Sequence, residues 1–187
     1  MNELILDFAN WLASQTFSIG LHESFYLYNW IETTHVLTLM VSLGLLCIID
    51  LRMLGWCFTQ VPASKIAERL TKPMLAGFVV MFATGILLYT AIPVRTSQSL
   101  WFRIKVILLL AAFINAVLFH RHMKASIDTW DRAPVPPART RIAAGLSLAL
   151  WAGVVVTGRF IAYDWFDCGE PNPAWIDAFI GCTNPAA

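Results

Sequence analysis

Four apolar stretches, each long enough to cross a lipid bilayer, limit what this chain can fold into. They cover residues 31–49, 74–91, about 100–119 and 142–166. A helix that rises about 1.5 Å per residue needs roughly 20 apolar residues to cross a hydrocarbon core of about 30 Å. Hydrophobic residues make up 58% of the chain and charged residues only 13%, which is typical of an integral membrane protein. The sequence therefore predicts an all-α fold, a four-transmembrane-helix up-down bundle with short connections.

Residues 1–26 precede the first apolar stretch and follow a different pattern. Leu4, Ile5, Phe8, Trp11 and Leu12 recur at helical spacing, which predicts an amphipathic helix that lies along the membrane surface without crossing it. The segment lacks the basic start and cleavage site of a signal peptide, so we expect it to be retained. The chain is thus divided into an N-terminal interfacial segment (1–26), a four-helix transmembrane bundle (27–166) and an external C-terminal tail (167–187).

Lysine and arginine are concentrated in two of the connections, which hold nine of the 13 basic residues. These are Arg52, Lys65, Arg69 and Lys72 in the first connection, and Arg121, Lys124, Arg132, Arg139 and Arg141 in the second. Short loops rich in such residues stay cytoplasmic. We therefore expect a multi-pass protein of the bacterial inner membrane with both termini periplasmic. The net charge of +1 gives no sign of a nucleic-acid surface.

Two cysteines, Cys168 and Cys182, flank the external stretch GEPNPAWIDAFIG. An oxidising compartment allows a disulfide between them, and closing a loop of this length stabilises a fold by up to about 3 kcal/mol. A metal pair is the alternative, but no histidine accompanies these cysteines in the tail. Cys47 and Cys57 lie in or just beyond the first apolar stretch, where a thiol is most often a small core residue.

Ionisable residues occur at one depth on three of the predicted helices. With the amino terminus outside, the outer ends carry Glu32 and His35 on the first helix, Arg103 and Lys105 on the third, and Arg159, Tyr163 and Asp164 on the fourth. Charged groups are costly in lipid and tend to face the bundle interior, so we expect a shared polar pocket there. The alternative is structural: Glu32 neutralises Arg159 or Lys105, and Arg103 reaches the headgroups.

His35 is the deepest of these residues and has three alternative roles. It is a core histidine bonded to Glu32 or to a backbone carbonyl, a haem or metal ligand, or a residue that relays protons or binds a quinone oxygen. His120, at the inner end of the third helix, is the second candidate ligand. A depth difference of roughly 18 Å, at about 1.5 Å per residue, prevents the two histidines from binding one iron. A haem at His35 would then have a single axial histidine, or a second ligand from His22 or from a partner subunit.

Four stretches carry a resemblance to known proteins: IETTHVL, DLRMLGW, FRIKVILLLAAFINAVLFH and TGRFIAY. In these, and over nearly its full length, the chain resembles an uncharacterised family of small bacterial four-helix inner-membrane proteins. More distantly, its layout is similar to membrane cytochrome b subunits and to copper-resistance membrane proteins. That likeness implies that His35 and His120 are haem ligands.

The predicted function is that of an integral membrane redox subunit. It would bind b-type haem, a quinone or both, and pass electrons between a periplasmic partner and the quinone pool. Glu32, His35, Lys105 and Arg159 motivate this prediction, because the cations of such a pocket can hold haem propionates or a quinone carbonyl. Arg103 and Tyr163 complete the predicted cofactor-binding set, and no residue is predicted to be catalytic.

Two other functions are compatible with the sequence. The first is a non-catalytic membrane anchor or assembly subunit of a periplasmic or membrane oxidoreductase, which docks through tryptophan-rich external segments. The second is transport of protons or metal ions, for which the inner half offers chiefly Asn115, Ser147 and His120. The expected partners are membrane lipid and either further copies of the chain or the subunits of a larger membrane complex.

Overall fold

Helices make up most of the chain, and short turns connect them. The computed structural model describes residues 2–163, 165–168 and 171–182. Within these, the helices are α1 (Asn2–Ala13), α2 (Thr16–Glu23), α3 (Leu27–Leu54), α4 (Ala63–Ala91), α5 (Pro93–Ser97), α6 (Leu100–Trp130), α7 (Ala138–Phe160) and α8 (Ala174–Ile180). A single 3-10 turn, Ile161–Tyr163, extends α7.

Four of these helices, α3, α4, α6 and α7, are long and apolar enough to cross a membrane. The candidate spans are Leu27–Leu54, Ala63–Ala91, Leu100–Met123 and Ala138–Tyr163. They confirm the predicted all-α fold with four transmembrane helices. The helices extend beyond the apolar stretches because helical hydrogen bonds continue into polar turns that need not lie in lipid. Thus α4 begins at Ala63 and continues through Pro73, well before the predicted start at residue 74.

The chain divides into two compact units. The first unit comprises Met1–His35, Phe82–Ile107 and Val154–Ala187, and the second comprises Val36–Met81 and Leu108–Gly153. Each of the four long helices therefore contributes one segment to each unit.

In the first unit, the two ends of the chain pack against the ends of the long helices. Helix α1 contacts α5, and Ser18 Oγ donates a hydrogen bond to the Thr90 carbonyl at 2.6 Å. Cys168 and Cys182, the pair predicted from the sequence, form a disulfide. The disulfide packs against a small apolar core of Leu100, Ile176 and Ile180. The tail is thereby tied to the start of α6.

Arg103 fastens the same tail to α6 through its guanidinium group. It donates hydrogen bonds to the Ser97 carbonyl at 3.1 Å, to Asn2 Oδ1 at 3.0 Å and to the Ile180 carbonyl at 2.6 Å. The Phe179 carbonyl accepts a further bond from it. A planar guanidinium with several donors is well suited to such a cross-link. The structure thus gives this predicted cofactor-binding residue contacts to both ends of the chain.

The second unit has its own apolar core, and a buried arginine joins two of its loops. The core residues are Ile49, Met53, Ala63, Trp130 and Ala144. Arg52 is fully buried and donates to the Val61 carbonyl at 2.9 Å and to the Ala133 carbonyl at 3.1 Å. Asp131 accepts hydrogen bonds from the Ser64 backbone N–H and hydroxyl at 2.7 and 2.8 Å, which caps the start of α4.

Candidate ligand cavity in the first unit

The first unit contains a cavity of about 340 Å³, lined by α3, α4, α5, α6, α7 and the tail. Sites for small molecules have volumes of roughly 300 to 1,000 Å³. The ionisable lining residues are Tyr28, Glu32, His35, Arg95, Lys105 and Asp167, and the apolar lining includes Leu88, Ile92, Phe102 and Ile161. A lining that mixes charge with apolar surface suits a ligand with both kinds of surface.

His35 is fixed in the cavity wall by α4. Its Nδ1 atom lies 3.1 Å from Thr84 Oγ1, in hydrogen-bond contact. A Cβ atom on Gly85 would lie only 3.2 Å from His35 Cε1, so the imidazole packs against bare backbone at this point. The sequence Thr84-Gly85 therefore provides both a polar partner and the space for the ring.

Lys105 and Glu32 bring opposite charges to the cavity without forming a pair. The ammonium of Lys105 lies against Gly158 of α7, where a Cβ atom would be 3.5 Å from Nζ. Within the described part of the chain, neither side chain forms a hydrogen bond or an ion pair. An ionisable group in a membrane span usually has a partner. These two groups are therefore available to a ligand.

Two aromatic side chains of the cavity lining pack against each other. Tyr89 of α4 and Phe102 of α6 both line the cavity, and their rings stack with centroids 5.5 Å apart and planes inclined by 14°. The Tyr89 hydroxyl lies 2.9 Å from Ser97 Oγ, which fixes the orientation of the ring. Both rings belong to the lining, so a planar ligand in the cavity can make aromatic contacts with the pair.

Arg95, Ser99 and Asp167 form a polar cluster at the edge of the cavity. Asp167 Oδ2 is 4.0 Å from Arg95 Nε, which makes a loose ion pair. Asp167 is 8% exposed and Ser99 only 1%. The Ser99 hydroxyl lies near the Asp167 carboxyl group, but the two side chains form no hydrogen bond in the structure. Asp167 Oδ1 and Ser99 Oγ thus have no hydrogen-bond partner among the described residues.

The acidity of Asp167 is altered by its surroundings. Burial raises the pKa of this carboxyl group above its ordinary value of 3.8, and the nearby Ser99 hydroxyl and Arg95 guanidinium partly offset the rise. Burial dominates because the carboxylate loses its water shell and gains only weak partners. Asp167 therefore takes up a proton more readily than an exposed aspartate does.

The cavity brings together only some of the predicted cofactor-binding residues. Glu32, His35 and Lys105 line it. Arg159 and Tyr163 are exposed, and they contact each other through a cation–π interaction, with Arg159 Cζ 4.9 Å from the ring centroid. Asp164, the last residue of the expected pocket, lies outside the described residues.

His120 belongs to the second unit, where its side chain is exposed on α6. His22, the other residue considered as a second haem ligand, is exposed on α2. Among the described residues, no group of three or more histidine, cysteine, aspartate or glutamate side chains could hold a metal ion. His35 is the one histidine that lines the cavity.

Several lining residues were missed by reasoning from the sequence. Tyr28 precedes Glu32 by four residues and His35 by seven, so the helical stripe could have revealed it. Arg95 lies in the short connection between the second and third predicted helices, where a charge is typical of an ordinary loop. Asp167 follows directly after the predicted end of the bundle at residue 166, and only the folded tail brings it to the cavity.

The second unit also holds a buried acid that the prediction overlooked. Asp50 lies one residue beyond the first apolar stretch and is 4% exposed. The Ser147 hydroxyl lies near its carboxyl group, while Oδ2 has no hydrogen-bond partner among the described residues. The sequence signal was present, since an acid at the end of an apolar run stands out, but a position near a helix end suggested solvent contact.

The fold and the cavity define a class: a multi-pass α-helical membrane protein that encloses a ligand-sized, partly charged cavity. The chain belongs to a family of unknown function, DUF6644, which matches residues 13–164. The expected membership of an uncharacterised family is thereby confirmed, whereas the likeness to cytochrome b subunits receives no support from this match. No curated protein and no solved structure matches the chain.

Proposed function

We propose that this protein is a redox subunit of the bacterial inner membrane, whose cavity binds the head group of a quinone. It would exchange electrons with a periplasmic redox partner, and both its termini would be periplasmic, as the basic connections favour. One observation carries the proposal. A cavity of about 340 Å³, in a chain with four candidate transmembrane helices, combines a lysine that has no partner among the described residues, a positioned histidine and a pair of stacked aromatic rings.

The chemistry of a quinone head group matches this lining. The head group is a flat ring with two carbonyl oxygens, which only accept hydrogen bonds. The Lys105 ammonium only donates and has no partner among the described residues. The ring can make aromatic contacts with the Tyr89–Phe102 pair, and the His35 imidazole has the donor and acceptor nitrogens that hydrogen bonding to a ligand oxygen requires. A quinone also reaches such a site from the bilayer, in which its isoprenoid chain dissolves.

Haem b fits the cavity less well than a quinone does. A six-coordinate haem takes two axial ligands, and His35 is the one histidine in the lining. The second ligand would have to come from a partner subunit or from a residue of another type. When bound, haem would supply one-electron transfer, but the residues present do not form a bis-histidine site.

Binding of a short-chain quinone tests the proposal directly. The full chain is purified in mild detergent and titrated with a decyl analogue of ubiquinone, with tryptophan fluorescence as the readout. Lys105→Met should weaken binding about tenfold, the effect of losing one hydrogen bond to a charged group. His35→Ala should weaken it to a similar extent. Quinone should also be present in a gentle solvent extract of the wild-type protein.

Matched variants separate the cavity from general effects of substitution. Lys65→Met and His120→Ala remove the same side-chain types at exposed positions of the second unit, so both should leave the affinity unchanged. Failure of the wild-type protein to bind the quinone would disprove the proposal, as would equal losses in the control variants. A Soret band that disappears in His35→Ala but not in His120→Ala would favour haem b in this cavity instead.

A second candidate function is that of a membrane anchor or assembly subunit, and exposed aromatic side chains of the first unit support it. Large aromatic side chains are exposed on α1, near the end of α7 and on α8, at Trp11, Trp165 and Trp175. Such residues can contact a partner protein as well as lipid headgroups. Affinity purification from native membranes in mild detergent tests this function. A chain that always migrates alone is not an anchor.

A further inference from the structure

We propose that the cavity binds the reduced form of its ligand, the quinol, more tightly than the quinone. The Asp167 carboxylate accepts a hydrogen bond from one of the two quinol hydroxyl groups. This inference rests on the proposed quinone site and adds the direction of electron transfer. The protein would oxidise quinol and pass the electrons outward to its periplasmic partner.

The position of Asp167 is the first support. The side chain lines the cavity but is 8% exposed, and one of its carboxylate oxygens has no hydrogen-bond partner among the described residues. Leaving a buried acceptor unpaired is costly, and a ligand that donates to it removes that cost. The two oxygens are chemically equivalent, and the terminal torsion of a carboxylate is soft, so either oxygen can turn toward the ligand.

The second support is the difference in hydrogen bonding between the two ligand forms. An ionised carboxylate only accepts hydrogen bonds. A quinone carbonyl also only accepts, so it gains nothing beside Asp167 and is repelled by the charge. A quinol hydroxyl donates and is therefore bound. The other quinol oxygen can still accept a hydrogen bond from Lys105, so the cavity satisfies both ends of the reduced ring.

The third support is that Asp167 is held firmly although it belongs to the tail. Its backbone carbonyl accepts a hydrogen bond from Asn172 Nδ2 at 2.9 Å. The next residue, Cys168, is disulfide-bonded to Cys182, and Arg103 binds the tail at Ile180. The carboxylate is thus positioned by the fold, as a group that recognises a ligand has to be.

The proposed reaction is balanced by groups and reactants that can be named. Both O–H bonds of the quinol break, and its two electrons pass one at a time to a periplasmic metalloprotein that carries haem, copper or an iron–sulfur cluster. One proton goes to the Asp167 carboxylate and the other to Glu32, the second carboxylate of the lining. Asp167 and Glu32 then release these protons to water, and the quinone, which has no hydrogen to donate to the restored Asp167 carboxylate, leaves for the bilayer.

Comparing the two oxidation states of one probe tests this inference. Decyl-ubiquinol, kept reduced under anaerobic conditions, and decyl-ubiquinone are titrated separately into the full chain in detergent at pH 7.5. The wild-type protein should bind the quinol about tenfold more tightly, as expected for one hydrogen bond to a charged group. Asp167→Asn should lose this preference through weaker quinol binding. Asp7→Asn, a matched change at an exposed position of α1, should keep it.

The outcomes separate this inference from the function on which it rests. Equal binding of both forms by the wild-type protein, or tighter binding of the quinone, would refute the quinol preference while leaving the quinone site intact. A preference that survives in Asp167→Asn would remove Asp167 from the explanation. If neither form binds, the proposed function itself is wrong. The wild-type comparison needs no variant, so it remains decisive even if Asp167→Asn fails to fold.

Discussion

Both units contain charged side chains that are buried or partly buried, but the two units use them differently. In the second unit, Arg52 bonds two backbone carbonyls and Asp131 caps α4. In the first unit, Lys105 lines a cavity and bonds no described residue, and the Asp167 side chain makes only a loose ion pair within the described part of the chain. The comparison teaches that burial of a charge does not by itself reveal a site. A buried charge whose donors are used by backbone carbonyls is structural, whereas one that faces a cavity without partners is available for binding.

Removing the arginine of the second unit should have the largest effect on stability. Arg52→Met keeps the apolar stem but leaves the Val61 and Ala133 carbonyls without their charged donor. Each of the two bonds contributes about 1.5 to 3 kcal/mol, so we expect a loss of roughly 3 to 6 kcal/mol. Thermal unfolding in detergent measures this, with Arg69→Met, an exposed site on α4, as the control. Retained quinone affinity in the surviving folded fraction would support the contrast between the units, and a stable Arg52→Met protein would contradict it.

Removing the disulfide should cause the second-largest loss of stability, and this loss should affect the first unit. The bond joins residues 14 positions apart, and a loop of this size contributes about 3 kcal/mol. The double variant Cys168→Ser, Cys182→Ser should lose about that amount and should also weaken ligand binding, because Asp167 precedes Cys168 directly. Cys47→Ser together with Cys57→Ser removes two free thiols and serves as the control. An unchanged quinol affinity in the tail variant would show that Asp167 does not depend on the disulfide.

The sequence predicted the spanning helices well because hydrophobic burial in lipid depends on runs of residues, which are visible in a single chain. It also drew attention to Glu32, His35 and Lys105, which line the cavity, since charges within such runs are conspicuous; their role in cofactor binding stays a prediction. It could not predict the contacts of Arg103, because its partners Asn2 and Ile180 lie near opposite ends of the chain. Contacts of this kind depend on how the termini fold back, and no local pattern encodes that.

A smaller effect should come from crowding the histidine. Gly85→Ala places a Cβ atom 3.2 Å from His35 Cε1, so the ring has to shift by a few tenths of an ångström. We expect a several-fold loss of ligand affinity and a stability change within about 1 kcal/mol. Gly44→Ala, in the same type of helical backbone but with nothing within 4 Å, should leave affinity unchanged and stabilise the helix slightly. Equal affinities in the two variants would mean that the His35 ring does not contact the ligand.

The smallest predicted effect is a pH dependence of stability that is caused by Asp167. Burial raises the pKa of this group in the folded state above 3.8, so between 3.8 and the raised value the folded protein holds a proton that the unfolded chain has lost. In that interval the free energy of unfolding falls as pH rises, and at higher pH the loss of free energy stays constant. Asp167→Asn cannot titrate and should not show this fall. At each pH, the unfolding temperature of Asp167→Asn is subtracted from that of the wild-type protein. This removes the contributions of the other titratable and charged groups of the cavity, because both proteins contain them. These groups are Tyr28, Glu32, His35, Arg95 and Lys105. A difference that grows in favour of the wild-type protein with rising pH would reverse the sign and would mean that Arg95 outweighs burial at this carboxylate.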